Sequence, residues 1–395
     1  MLSSDSLRRH LPVVGAAVRN IIVFITVLSI PLAAAQRLDL SAEQTSSWIL
    51  ALYGLPAVLG LWLTWRYQQP LLLTGNLFIM IFISGLGNQL SYPELVGATI
   101  LAGAAVLLVS VLGLTARLAA LVPLPIMFGL LAGAVMPFVA GIFDNLGQAP
   151  VLVAGTLLAY LLSRWLLGQR VPPILTALLA GLAIAAVSGE FGQASQPLSL
   201  EIPQVIRPVF SLSAILTATP VFVVLITIQA NLPSVLFLRG EDYEPPEPVI
   251  NTVSGIGTML GSLLGPTGVS LSLPATSLVA GEGAGEHAVR HRSVYIVAAA
   301  ALLTGLLAGI AAHLPDIIPL PLLLSLAGLA LVDVLGSALK RITQGPLVLG
   351  PLFAFAIALS EVSLLGFSNY FWSLVIGTAV SLLLEREALR GEEQH

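Results

Sequence analysis

The chain contains no cysteine among its 395 residues. That excludes disulfides, iron–sulfur clusters and thiol nucleophiles, and it leaves the compartment open. Charge is nearly as scarce, with 9% Asp, Glu, Lys and Arg against about 25% in an ordinary soluble protein. The formal net charge is −4, and no basic stripe is present to hold a phosphate backbone, so nucleic acid is excluded as a partner. No P-loop, dinucleotide fingerprint or nucleophile–base pair occurs. ATP is therefore not the energy source of this chain alone, and nothing marks an enzyme. Gly255-Ile256-Gly257 falls inside an apolar segment and reads as close helix packing. His287 and His291 lack a third donor on their face, so no metal and no cofactor are expected.

What fills the chain is apolar: 57% of its residues are hydrophobic. A membrane-spanning helix needs about 20 mostly apolar residues, and fourteen candidates can be drawn: 12–35, 46–65, 70–87, 93–113, 123–143, 149–167, 172–189, 210–237, 249–265, 268–281, 293–313, 317–338, 346–361 and 364–384. The first is too long for a signal-peptide core and lacks a clear cleavage site, so it is read as a retained helix. With both termini placed in the cytoplasm, Lys and Arg crowd onto the inner face. Arg37 and Arg207 fall outside, and Arg19 lies within the first helix. That asymmetry is what the positive-inside rule demands, and it supports fourteen crossings in a cell (inner) membrane.

The segments recur. Pro70, Gly113, Pro123-Leu124-Pro125 and Gly181 have counterparts 196 positions later at Pro266, Gly309, Pro319-Leu320-Pro321 and Gly377. The expected fold is an all-α polytopic membrane protein with 14 transmembrane segments as a 7+7 inverted repeat. Seven crossings per copy invert the second copy, the architecture of many secondary transporters. The first repeat is 1–190, the linker 191–209, the second repeat 210–385 and the cytoplasmic tail 386–395.

The third segment of each copy is short and broken. Each begins at a proline, runs on briefly as extended chain and then offers a helix start: Thr74 as cap beside Gly75 and Asn76 in one, Ser272 before Pro274 in the other. Two half-helix N-termini meeting inside the membrane expose unpaired N–H groups that attract an anion without Arg or Lys. Ordinary short helices kinked by proline are the alternative.

The run Arg207-Pro208-Val209-Phe210, then Gln229-Ala230-Asn231-Leu232-Pro233-Ser234-Val235, Leu238-Arg239 and Tyr243-Glu244-Pro245-Pro246 resembles the benzoate:proton symporter family. That family is similar in fold to uracil/xanthine and sulfate permeases. The resemblance implies a core domain of segments 1–4 and 8–11, a gate domain of segments 5–7 and 12–14, and a short strand before each half-helix. It also implies proton-coupled uptake of an aromatic carboxylate such as benzoate. At the first break this chain has Thr74-Gly75-Asn76-Leu77, where family members often carry a Ser-Thr-Pro-Gly type of run. At the second it has Ser270, Ser272 and Pro274, where they often carry Asn.

The expected substrate-binding residues are Thr74, Gly75, Asn76, Ser270, Ser272, Thr276, Gln229 and Asn231. The amides of Gln229 and Asn231 serve equally well as helix–helix hydrogen bonds. Arg19 and Asp333 are ionisable residues within spans and thus candidates for a charge or proton role. Against that role, Arg19 lies near enough to the inner surface to snorkel, and Asp333 lies near Lys340 and Arg341. Glu282, Glu286, His287, Arg290, His291 and Arg292 read as a solvated interfacial segment, and Glu361 and Asp144 as solvated helix ends. The expected partners are a small organic anion, protons and membrane lipid, with a homodimer left open. A nucleobase or inorganic-anion carrier of the same fold remains an alternative, as does an anion channel or non-transporting scaffold.

Overall fold

The computed structural model describes residues 4–87, 89–121, 123–168, 171–192, 202–344, 346–360 and 362–386. Residues 193–201 of the expected linker, most of the tail and Glu361 lie outside them. The described chain is mostly helical. Six helices are long and apolar enough to cross a membrane: His10–Arg37, Ala42–Tyr67, Tyr92–Val111, Leu124–Gln148, Leu212–Gly240 and Leu320–Gln344. A seventh is the pair His287–Leu306 and Ala308–Ile317, bent by 64°. A single segment, 293–313, is drawn there from the sequence. Gly305 lies against the Gly54 backbone, where a Cβ on Gly305 would come within 2.8 Å of Gly54 Cα. Shorter apolar helices are Leu77–Leu86, Pro150–Leu166, Pro173–Ser188, Leu349–Leu359 and Asn369–Leu384. Each of the fourteen predicted segments contains a helix.

Two short strands, β1 (Leu73–Gly75) and β2 (Val269–Leu271), pair antiparallel as Leu73↔Leu271, Thr74↔Ser270 and Gly75↔Val269. Each leads into a short helix, Leu77–Leu86 or Leu273–Ala280. Boundaries recur across the chain at the spacing seen in the sequence. β1 and β2 begin 196 positions apart, as do the helices that start at Leu77 and Leu273, those spanning Leu124–Gln148 and Leu320–Gln344, and those spanning Pro173–Ser188 and Asn369–Leu384. Residues at that spacing face each other at Thr74 and Ser270.

One local expectation is corrected. The stretch 282–292 is not a solvated helix. It forms two 3₁₀ turns, Glu282–Ala284 and His287–Val289, and both Arg290 and His291 are buried. Arg290 donates to Glu241 Oε2 at 2.8 Å, to the Ala280 carbonyl at 2.6 Å and to the Gly285 carbonyl at 2.8 Å. A guanidinium with three acceptors tolerates burial where a free one does not. The described end of the expected linker is likewise tied down. Gln204, Ile206 and Val209 donate their backbone N–H groups to Ser47 Oγ, the Leu263 carbonyl and the Pro93 carbonyl. The first span is also interrupted by a turn at Leu28, between helices Ser4–Val27 and Ser29–Arg37.

Glu385 closes the helix Leu349–Leu359 at its open N-terminus. Its carboxylate accepts from the N–H groups of Val348 and Leu349 at 2.6 Å each and Gly350 at 3.0 Å, and from Ser381 Oγ at 2.8 Å. Burial pushes its pKa up. The Gly350, Val348 and Leu349 amides and the Ser381 hydroxyl together outweigh that effect, so the group sits below the ordinary carboxylate value. A depressed carboxylate pKa stabilises the fold above the unfolded-state pKa, and that stability is lost as pH falls through the folded one. Glu385→Gln therefore lowers thermal stability at pH 7 by roughly 0.5–1 kcal/mol, discounted for solvent screening. The gap from the parent protein closes as the pH drops below the carboxylate range, as read by melting curves of both proteins across pH.

Candidate functional site

The strand pair lies inside an apolar bundle, so each backbone group not used between strands needs a partner from the protein. Leu271 N–H donates to Asn231 Oδ1 at 2.8 Å and Val269 N–H to Thr258 Oγ1 at 2.9 Å. The Gly268 carbonyl accepts from Asn76 N–H at 2.6 Å. The Pro266 carbonyl accepts from Trp48 Nε1 at 2.7 Å and the Thr267 carbonyl from Ser262 Oγ at 3.2 Å. Gly75 allows the close approach this requires: a Cβ there would meet the Leu52 carbonyl oxygen at 2.7 Å.

Asn76, rather than Thr74, caps the first half-helix. Its Oδ1 accepts from Ile79 N–H at 3.1 Å while its Nδ2 donates to Ser270 Oγ at 3.0 Å. One side chain thus caps a helix and joins the two breaks. The physical reason is register. Thr74 is held in β1 opposite Ser270, two residues short of the cap position. Ser272 does occupy the cap position of the second half-helix, but its hydroxyl makes no capping hydrogen bond. Leu77 and Phe78, and Leu273 and Ala275, are first-turn positions whose amides have no intrahelical acceptor, and Pro274 has no N–H to offer.

Both breaks border a cavity of about 360 Å³, near the lower end of ordinary ligand pockets. Of the residues expected at the site, Thr74, Gly75, Asn76, Ser270, Ser272 and Gln229 line it, and so does Asp333. Gln229 sits in a π-helical turn, Leu225–Asn231, a deformation that frequently accompanies function because it re-aims side chains. It is 8% exposed, and neither its Oε1 nor its Nε2 has a hydrogen-bond partner in the protein. Phe78, Phe128, Leu131 and Pro233 supply apolar surface.

The other expected residues lie elsewhere. Asn231 is structural: besides accepting from Leu271, its Nδ2 donates to Asn251 Oδ1 at 2.8 Å and Ser254 Oγ at 3.0 Å. Thr276 is fully buried on the second half-helix, outside the cavity lining. Arg19 is exposed, donates to the Gly283 carbonyl at 3.1 Å and does not line the cavity. Its neighbour Asn20 donates to the Ala275 carbonyl at 2.9 Å and steadies the second half-helix. Asp333 does not pair with Lys340 or Arg341. It bonds Arg164 at 2.7 Å, because position 333 turns toward the helix Pro150–Leu166 while Arg341 stacks over the Phe128 ring at 4.7 Å.

Arg341 was missed at the sequence level. It also lines the cavity, so the site is not built from backbone amides alone. A signal for it existed. Asp333, Ser337 and Arg341 recur every four residues, which places them on one face of the helix Leu320–Gln344, and all three line the cavity.

Broken apolar helices, a strand pair leading into two short helices and a mixed apolar–polar cavity fit a multi-pass membrane transporter. The chain belongs to the family described as benzoate membrane transport protein, which its residues 9–383 match. It is 29% identical over 360 residues to the benzoate membrane transport protein of Acinetobacter baylyi, covering 89% of each chain. It is 26% identical over 354 residues to the inner membrane protein YdcO of Escherichia coli, covering 87% of this chain and 88% of that one. In fold it is similar to the transmembrane domain of the cyanobacterial bicarbonate transporter BicA, with a TM-score of 0.56 at 19% identity, covering 95% of this chain and 97% of that one. It is also similar to SLC26A9, with a TM-score of 0.60 at 15% identity, covering 93% of this chain and 64% of that one.

The two amides separate by experiment. Asn231→Ala leaves the buried Leu271 N–H without an acceptor and destabilises the protein by about 1–3 kcal/mol. Gln229→Leu removes an unpaired polar group and leaves melting unchanged or raised, while ligand-induced stabilisation is lost. Parallel melts with and without benzoate check both.

Proposed function

We propose that the protein is a proton-coupled carrier of an aromatic carboxylate such as benzoate, working by alternating access in a cytoplasmic membrane with both termini inside. The observation that carries this reading is the convergence of both half-helix starts and the unpartnered Gln229 amide on one cavity also lined by Phe78 and Phe128. The amides suit carboxyl oxygens, and the phenyl side chains suit an aromatic ring. The family's own description, and that of the Acinetobacter baylyi relative, names benzoate.

An inverted repeat of seven plus seven crossings is supported by the recurring element boundaries and by the Thr74–Ser270 pairing about which the two breaks are arranged. Division into a core domain and a gate domain is supported by the cavity walls. One wall comes from residues 74–78, Gln229, Ala230, Pro233 and residues 270–274, the other from Phe128, Leu131 and the Asp333–Arg341 face. A second cleft of about 280 Å³ lies between the same two groups, lined by Leu90, Ser213, Thr217, Gly366 and Ser368 among others. There the two sides touch through Ser213 Oγ donating to the Gly366 carbonyl, and nearby through the Phe82 and Tyr370 rings at 4.6 Å. These contacts suit a state closed at the outer end and reached from the Arg341 end. An inorganic-anion carrier is the second reading, favoured by Arg341 at the cavity and by the BicA-like fold.

In proteoliposomes with an alkaline interior, labelled benzoate accumulates. A protonophore abolishes accumulation, while preloaded unlabelled benzoate still drives counterflow. Transport of bicarbonate or uracil without benzoate overturns the substrate class, and absence of counterflow with every solute overturns the carrier reading.

A further inference from the structure

Gln229 lines the cavity, and its amide carries a donor and an acceptor, both buried and both without a protein partner. A carboxylate presents acceptors alone. Bound as an anion, it satisfies Nε2 and leaves Oε1 facing a second oxygen with no hydrogen between them. A protonated carboxylic acid satisfies both in a ring of two hydrogen bonds: its O–H donates to Oε1, and its carbonyl accepts from Nε2. The carbonyl's second lone pair remains for a half-helix amide such as Leu77 or Phe78.

The charge inventory agrees. Lining the cavity, the charged groups are Asp333 and Arg341, both on the helix Leu320–Gln344 and both exposed. Asp333 is held by Arg164 on the helix Pro150–Leu166, where Arg164 also donates to Tyr160. The strands, the half-helices and the π-helical turn supply no charged or titratable lining residue. The one lining cation among the described residues, Arg341, belongs to the opposite wall, where it stacks on the Phe128 ring. The half-helix ends favour an anion, but Asn76 already occupies one first-turn amide and Pro274 deletes another. A carboxyl group buried without a cationic partner is neutralised rather than held charged.

We propose that the site binds its aromatic substrate as the neutral acid, with Gln229 as the specificity-determining residue, so that the coupling proton travels on the substrate's own carboxyl. The inference rests on the substrate class proposed above. One acid enters with its proton and dissociates after release into carboxylate and H⁺, which fixes one proton per substrate without a titrating side chain. A carboxamide, which presents the same donor–acceptor pair, is the matching competitor, and a sulfonate is the mismatched one.

The test is competition against labelled benzoate on the detergent-purified full chain from pH 5 to pH 8. If only the protonated fraction binds, the apparent Kd of benzoate rises about tenfold for each pH unit above the acid's own pKa. Benzamide competes with a Kd that does not change with pH, and benzenesulfonate competes at least about tenfold more weakly than benzoate at pH 5. In Gln229→Met, confirmed folded by its melting curve, the preference for benzamide over benzenesulfonate disappears. In Asp333→Asn the benzoate slope persists, whatever the affinity of that variant. A flat benzoate Kd, equal competition by benzenesulfonate, or loss of the slope in Asp333→Asn overturns the inference and leaves the substrate class standing. No binding of any aromatic acid at any pH overturns the substrate class and this inference with it.

Discussion

Backbone that leaves the helical path inside an apolar bundle must find every hydrogen-bond partner within the protein, and the rest of this structure is arranged around meeting that demand at two places. An unpaired amide in such surroundings costs several kcal/mol. Pairing β1 with β2 satisfies the inward edges. Asn231, Thr258, Asn76, Trp48 and Ser262 satisfy groups of residues 266–271 along the β2 side. Once those groups are accounted for, the first-turn amides of the half-helices and the Gln229 side chain remain as polar functions facing the cavity. Binding capacity is what the structural hydrogen bonds leave over.

Close approach makes the arrangement feasible. Gly75 lies against the Leu52 carbonyl, within a π-helical turn at Leu50–Gly54, and Gly268 lies against Ile79 and Asn76. The second π-helical turn holds Gln229, and the Leu225 carbonyl within it accepts from Asn76 Nδ2 at 3.4 Å. Deformed helix on both sides of the strand pair brings side chains to the breaks at angles a regular helix does not offer. The cavity's other wall is an ordinary helix whose polar stripe, Asp333 to Arg341, faces inward.

Much of this was legible in the chain. Long apolar runs marked the helices, and paired prolines at Pro70 and Pro266 marked the breaks. The extended run after each proline was readable from the residues, and its forming a short strand came from the family resemblance. The division of labour between neighbouring amides was not legible. Gln229 and Asn231 are two residues apart and so leave the helix on opposite sides, but which side meets the cavity and which meets β2 depends on how that helix docks against distant elements. The exchange of roles between Thr74 and Asn76 depended on strand register, which local sequence leaves free. Arg290, read as solvated, is buried because Glu241, remote in sequence, folds back onto it. Arg341 escaped notice because a cation near a helix end has an adequate explanation in the positive-inside rule.

The central claim is that the two breaks and the π-helical turn form one site for a carboxyl group. An experimental density map of the benzoate-bound protein tests it most directly. The account predicts density for the carboxyl between the Leu77–Phe78 and Leu273–Ala275 amides, within hydrogen-bond distance of Gln229, and for the ring against Phe78 and Phe128. A ligand lodged elsewhere, or a Gln229 side chain turned away to a protein partner in the bound state, contradicts it.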